Sequence, residues 1–272
     1  MRKLVLTLVA CLMTVSYANA DLVGYWPLND GAGSVAANMV EGGAAGEIYN
    51  AETGGPSDGS VWVQVEDFPY AGSKTVIGSG GQAPADTAFV RAGDIPQMTL
   101  ENDFTWAFWS NTSPDIAANP GRFSGIVGNR YKPGPGRQDY SPRQFIKFTP
   151  TAFEWHMNGN GNDNVGFGDD VLEKGEWYHQ AVVKDGTSLT YYRDGVAMLT
   201  GEVTQALDEP MPLWLMGDDA GDATEQWQGL LAGVRIYDSA LTADEIAAIP
   251  EPSSLALLSL GLLVILGRRR AK

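Results

Sequence analysis

Apolar and polar residues alternate most clearly between positions 177 and 202. Trp177, His179, Ala181 and Val183 fall on one side of an extended chain, and Tyr178, Gln180, Val182 and Lys184 on the other. Asp185-Gly186 interrupts the alternation, residues 189–193 resume it, and Asp194-Gly195 interrupts it again. Asp-Gly pairs favour the tight turns that join antiparallel neighbours, so this stretch predicts a meander. Shorter runs of the same kind predict strands at 22–27, 61–65, 88–91, 104–110, 125–128, 144–148, 153–157, 212–216 and 229–237. The chain's 33 glycines and 15 prolines supply the turns between them. Apart from the run at 61–65, residues 51–86 are rich in Gly, Ser and Pro and read as long loops. Many short strands and little helical period predict an all-β fold, two antiparallel sheets packed as a sandwich or jelly roll.

One stretch follows the helical period. In "SALTADEIAAI", Thr242 suits the N-cap, Asp244 and Glu245 suit the first turn, and Leu241, Ile246 and Ile249 make an apolar stripe. No repeat and no internal domain boundary is visible, so residues 21–249 read as one domain.

Both ends depart from this pattern. "MRKLVLTLVACLMTVSYANA" has a positive start (Arg2, Lys3), an apolar stretch and a small-x-small site at Ala18-Asn19-Ala20, the layout of a secretory signal peptide (residues 1–20) cut before Asp21. The competing reading, in which Cys11 of "LVAC" becomes a lipidated N-terminus, leaves only a short apolar stretch before its cut. Cys11 is the only cysteine and leaves with the signal, so the folded part has neither disulfide nor thiolate chemistry and must rest on its core. The other end, residues 250–272, begins Pro250-Glu251-Pro252. Thirteen residues follow from Leu255 to Gly267, apolar apart from Ser259, and then Arg268, Arg269 and Arg270. A membrane span needs about 20 apolar residues, so this segment is short for a permanent anchor. Its arginines suit retention in the cytoplasm, and the two prolines keep the preceding tripeptide out of a helix.

"PEPSSLALLSLGLLVILGRRR" closely resembles the PEP-CTERM sorting signal of Gram-negative bacteria: Pro-Glu-Pro, a short transmembrane helix and an arginine cluster, in that order. The resemblance implies that an exosortase, a cysteine protease of the inner membrane, cuts near the motif after transient membrane association and passes the protein outward. An ordinary C-terminal anchor is the alternative. In the body, "LVGYWPLNDGAGSVAANMVEGGAAGEIYN", "DFTWAFWSNT", "GEWYHQAVVKDGTSLTYYRDGVAM" and "QGLLAGVRIYDSALTADEIAAI" together resemble the laminin-G-like group of concanavalin A-like lectin/glucanase domains. That resemblance implies a two-sheet antiparallel jelly roll with one concave sheet and rim loops that bind glycans or proteins.

Charge narrows the partners. The chain has 18 basic and 33 acidic residues, and loss of both end segments leaves 12 and 32. Such a surface repels nucleic acid and anionic membranes and attracts cations, and it also serves solubility alone.

The candidate chemistry divides into catalysis, metal and ligand binding. Glucanases of the superfamily carry Glu-x-Asp-x-x-Glu on one strand, with alternate carboxylates lining a cleft. No acidic residue here has that spacing, and Glu154 stands alone between Phe153 and Trp155. The chain is therefore expected to be a non-enzymatic binding module; a structural matrix protein without a sugar site and a glycoside hydrolase are the alternatives. His156 and His179 lack the neighbours of a zinc site, and His179, which matches a structural position of the family, is expected to be a hydrogen-bonded core residue. Many relatives hold Ca²⁺ through an early Asp and an Asp in the last strand. The matching positions here are Asn38 and Ala232, with Gly233 where Glu is frequent, so the inherited Ca²⁺ site is weakened. Two acidic loops, one with Asp163, Asp169 and Asp170 and one with Asp218, Asp219, Asp222 and Glu225, are further Ca²⁺ candidates or solvated turns. Trp155, which alternates with His156, is a candidate sugar-stacking platform or a core residue. The loop "NRYKPGPGRQDYSPRQ", with Arg130, Tyr131, Lys132, Arg137, Tyr140 and Arg143, is a candidate site for an acidic glycan or partner.

Overall fold

The computed structural model describes residues 20–50, 55–59, 61–66, 68, 75–78, 88–94, 102–114, 124–131, 139–149, 152–157, 165–167, 172–202, 212–217 and 227–249. For the strands within 129–167 the description is of the backbone alone. The order of elements is β1 (Leu22–Trp26), β2 (Val35–Ala36), β3 (Gly46–Asn50), β4 (Trp62–Gln64), β5 (Thr75–Gly78), β6 (Ala88–Asp94), β7 (Phe104–Thr112) and β8 (Ser124–Tyr131). It continues with β9 (Asp139–Thr149), β10 (Ala152–Met157), β11 (Val165–Phe167), β12 (Trp177–Asp185), β13 (Ser188–Arg193), β14 (Val196–Glu202), β15 (Pro212–Leu215), β16 (Gly229–Tyr237) and α1 (Ala243–Ala248).

These strands form two antiparallel sheets. The first runs β14-β13-β12-β7-β16-β5-β4, and β1 pairs with β16 beside β5. The second runs β11-β10-β9-β8-β15-β6-β3-β2. The β12–β14 meander forms as the Asp-Gly pairs dictate. Gln180 to Asp185 pair with Arg193 to Ser188, and Arg193 pairs with Val196 across a two-residue loop. In that loop Asp194 and Gly195 have φ of 50° and 77°, the left-handed pair that matches strand twist.

The core between the sheets takes Trp26, Phe104, Trp106, Phe108, Val182, Leu189 and Tyr191 from the first sheet and Ile48, Val90, Ala92, Ile126, Val127, Leu213 and Leu215 from the second. Burying each such Val, Leu, Ile or Phe contributes about 1.5–3 kcal/mol of transfer free energy. Strand β7 is buried along its whole length, because the outer face of the first sheet is covered too. Ala107, Ala181 and Val183 pack on Leu241 and Ile246, while Trp109, Leu230 and Ala232 pack on Val63, Val65 and Phe68. This double cover explains why "FTWAFWSNT" reads as a continuous run rather than a clean alternation.

Helix α1 is too short to persist alone and is held by its cap and its buried face. The Thr242 hydroxyl accepts from the Glu245 N–H at 3.3 Å, and Glu245 Oε2 accepts from the Thr242 N–H at 2.8 Å. The Thr242 N–H, and then its hydroxyl, which also donates to Glu245 Oε2 at 2.8 Å, hold the Glu245 carboxyl below its ordinary pKa. Ile246 is buried and Leu241 nearly so, as the stripe predicts.

Three expectations are corrected. The stretch at 51–86 contains a second strand, β5, whose four residues are all buried. The basic "NRYKPGPGRQDYSPRQ" segment is not a loop throughout, because β8 runs on to Tyr131 and β9 begins at Asp139. The acidic "GNDNVGFGDD" segment contains strand β11. No helix among the described residues is long and apolar enough to cross a membrane.

Candidate functional site

On the side of the second sheet away from the core, the described side chains include a separate cluster of Phe89, Trp214 and Tyr49. Strand β3 alternates Glu47 and Tyr49 with Ile48, and β6 alternates Phe89 and Arg91 with Val90 and Ala92. Ile48, Val90 and Ala92 enter the core, so the other set lies outside. Pairing places Tyr49 opposite Phe89 and Glu47 opposite Arg91, and it places Trp214 of β15 on the other side of Arg91.

The result is a cation held among rings. The Arg91 guanidinium carbon lies 3.8 Å from the Tyr49 ring centroid, 5.3 Å from Trp214 and 5.9 Å from Phe89. Tyr49 stacks on Phe89 at 5.6 Å, and Phe89 meets Trp214 edge-on at 5.8 Å. The Tyr49 hydroxyl donates to Glu47 Oε2 at 2.9 Å, which fixes the ring. Phe89 and Trp214 are 1% and 2% exposed, whereas Tyr49 and Arg91 are half-buried and Glu47 is exposed. The Trp214 indole N–H is buried without a hydrogen-bond acceptor. An oriented guanidinium, a phenol and a carboxylate on an aromatic floor can donate to and accept from the hydroxyls of a sugar, and the floor stiffens them.

The register extends this surface toward the residues singled out in the sequence. Arg130 and Tyr131 lie in β8 and Trp155 in β10, all in this same second sheet. Position 155 is opposite Ile146, which is opposite Val127, Leu215, Val90 and Ile48 in turn; the last four are core residues. Position 156 is opposite Phe145, then Gly128, Trp214, Arg91 and Glu47. The row through the Arg91 cluster therefore reaches position 156, not 155. Arg137 and Asp218, Asp219 and Asp222 lie outside the described residues, as do Asp163, Asp169, Asp170, Glu225, Ala18 and the motif residues Pro250, Glu251, Pro252, Arg268, Arg269 and Arg270.

The structure also decides what Asn38 and His179 do. Asn38 Oδ1 accepts from the Tyr25 N–H (3.2 Å) and the Val40 N–H (3.0 Å), and its Nδ2 donates to the Ala44 carbonyl (3.1 Å). Its side chain organises a turn, and Ala232 is buried among apolar residues, so this pair does not fit a Ca²⁺ site. Among the described residues no group of three or more His, Asp or Glu is placed to hold a metal. His179 is 1% exposed beside the Trp109 ring (5.3 Å), but neither ring nitrogen has a hydrogen-bond partner. It is a core histidine without the expected hydrogen bond. Burial first, and the Arg235 guanidinium second, lower its pKa from 6.5 to about 4.

The sequence reading missed Glu47, Tyr49, Phe89, Arg91 and Trp214 as a group. The one available signal was the spacing of Glu47 with Tyr49 and of Phe89 with Arg91, each two apart on a strand and hence on one face.

Comparison with known proteins agrees with this architecture. No curated protein matches the sequence. Domain 4 of AbnA, a GH43 extracellular arabinanase from Geobacillus stearothermophilus solved with arabinotriose, superposes with a TM-score of 0.58 at 15% identity, over 85% of this chain and 99% of that one. A mutant Trypanosoma rangeli sialidase with trans-sialidase activity (TM-score 0.54, 13% identity, 84% of this chain) is matched over 32% of its own length. Botulinum neurotoxin type C, whose cell entry depends on two ganglioside molecules (TM-score 0.53, 10% identity, 85% of this chain), is matched over 50%. At these identities the likeness is one of fold. A PEP-CTERM protein-sorting motif matches residues 248–270, and the family model matches residues 84–247, well over half of the chain. The chain belongs to the concanavalin A-like lectin/glucanases superfamily, in its Laminin_G_3 family, and carries a PEP-CTERM sorting tail.

Proposed function

We propose that the folded domain is a non-enzymatic glycan-binding module, delivered by its tail to the cell surface or extracellular matrix. The PEP-CTERM motif implies export and surface sorting in a Gram-negative bacterium, with processing by an exosortase. The observation that carries the binding reading is the Glu47–Tyr49–Arg91–Trp214 cluster on the side of the second sheet away from the core, where Glu47 is exposed and Tyr49 and Arg91 are half-buried. The arabinotriose held by the arabinanase domain supports a sugar as ligand. The sequence supports binding over hydrolysis, because the superfamily's carboxylate spacing is missing.

Purified residues 21–249 are to be screened on glycan arrays and against surface polysaccharide, beside Tyr49→Ala and Arg91→Ala. Binding that falls at least tenfold in both variants, with folding retained, supports the site; no ligand above background in either screen overturns it. A second reading, a structural matrix protein, draws on the near-complete burial of Phe89 and Trp214. It expects the same variants to lower the melting temperature while no glycan binds. For the tail, intact-mass measurement of the surface protein is expected to show residues 255–272 removed; a mass that retains them means a plain anchor.

A further inference from the structure

The two ends of the domain meet at one corner, and a carboxylate is held there by the backbone. The Asp21 N–H donates to Asp238 Oδ1 at 3.0 Å, and the Asp238 N–H donates back to the Asp21 carbonyl at 3.1 Å. The next residues along, Leu22 and Tyr237, are the first pair of the β1–β16 ladder. Beside them Ala20, Tyr237, Leu241, Glu245, Ala248 and Ile249 line an open notch of about 300 Å³. Ala20 and Ile249 pack on one apolar cluster, and Ile249 is the last residue before the Pro-Glu-Pro motif.

The small residues at 18 and 20 put the signal-peptidase cut between Ala20 and Asp21. Hydrolysis of that bond consumes one water: Ala20 departs as a carboxylate, and the Asp21 nitrogen becomes a primary ammonium. We propose that Asp238 is the binding site for this new ammonium, so that N-terminal processing turns a hydrogen bond from a neutral amide into an ion pair at the corner where the sorting tail departs. The β1–β16 pairing already places the nitrogen against its acceptor, so no rearrangement is needed to form the pair. Among the described residues, the titratable groups that line the notch or share the Asp21–Asp238 bonds are Asp21, Tyr237, Asp238 and Glu245, and the nearest basic residue by strand register is Lys184, on β12 beyond β7. The ammonium adds a positive charge directly at the Asp238 carboxylate.

The sign of the pH dependence follows. An α-ammonium has an ordinary pKa of about 7.7–8.0, and a carboxylate partner raises it in the folded state. The contribution is complete below that range and is lost as pH rises through the raised value. Measurements at pH 6.5 and 9 bracket the ordinary range of the α-ammonium. Four chains are compared: one beginning at Asp21, one retaining Ala20, and each of these with Asp238→Asn, which keeps an acceptor oxygen and so preserves the fold. Between the two pH values the melting temperature of the first is expected to fall by about 1–3 °C more than those of the other three. Its α-amino group, followed by acylation rate against pH, is expected to titrate above the ordinary range. Equal pH dependence in all four, an α-amino group titrating at its ordinary value, or an exported protein whose first residue is not Asp21 overturns the proposal.

Discussion

Replacing His179 with Leu should make the protein more resistant to acid. The imidazole is 1% exposed, is flanked by Trp109 and lacks a partner for either nitrogen, and its pKa falls to about 4 from 6.5. Between those two values the unfolded chain binds a proton that the folded chain refuses. Stability therefore declines as pH falls below 6.5, and the loss is complete only below about 4. From pH 7.5 to pH 5 the two titrations differ by about 2 kcal/mol, or roughly 4–8 °C in melting temperature for a domain of this size. Leu has similar bulk and removes two buried polar atoms that nothing in the protein satisfies, so at pH 7.5 the variant should be at least as stable as the parent. Urea unfolding of both proteins at the two pH values measures the difference directly, and the carboxylates, common to both, cancel. His156 is the only other histidine, so the two imidazole resonances can be followed separately by NMR. Equal stability losses in parent and variant, or a His179 resonance titrating near 6.5, would refute the reasoning.

Other expectations concern the cap, the sheet and the metal. Thr242→Ala removes the hydroxyl that accepts from Glu245 and should cost about 1 kcal/mol in chemical unfolding. Gly229→Ala would place a methyl group 2.1 Å from the Asn111 carbonyl oxygen, within the β7–β16 ladder, and should cost about 3 kcal/mol in the same assay. Since Asn38 is committed to three hydrogen bonds and Ala232 offers no ligand, chelator treatment is expected to leave the melting temperature unchanged; a fall of several degrees would reveal a metal site elsewhere in the chain.

What the sequence could show was what short-range chemistry specifies. The β12–β14 meander was legible because alternation and Asp-Gly turns coincide, and α1 because Thr242, Glu245 and Ile246 mark its cap and its buried face. Strand β5 was not, because "TVIG" sits in a Gly- and Ser-rich stretch and is made a strand by β16, which lies far along the chain. The ends of β8 and β9 were hidden by the prolines and glycines between them, although pairing carries both strands into that segment. The candidate site was illegible for a similar reason. Tyr49, Arg91 and Trp214 come from three strands that only the sheet order makes neighbours, so no local pattern announces them. His179 was placed correctly in the core, but its missing hydrogen bonds depend on the ring and guanidinium that surround it.

The place of β16 has a consequence for the order in which the protein can form. This strand lies between β7 on one side and β5 and β1 on the other, yet it is the last strand among the described residues. Until residues 229–237 have been synthesised, the first sheet is two separate halves, and Leu22–Trp26 has no ladder to join. Contacts between segments so distant in sequence form slowly, because the entropy of closing the loop between them is lost before the contact rewards it. A nascent chain therefore cannot complete its first sheet until this strand has been made, so the last described strand to be synthesised is the one that closes the sandwich.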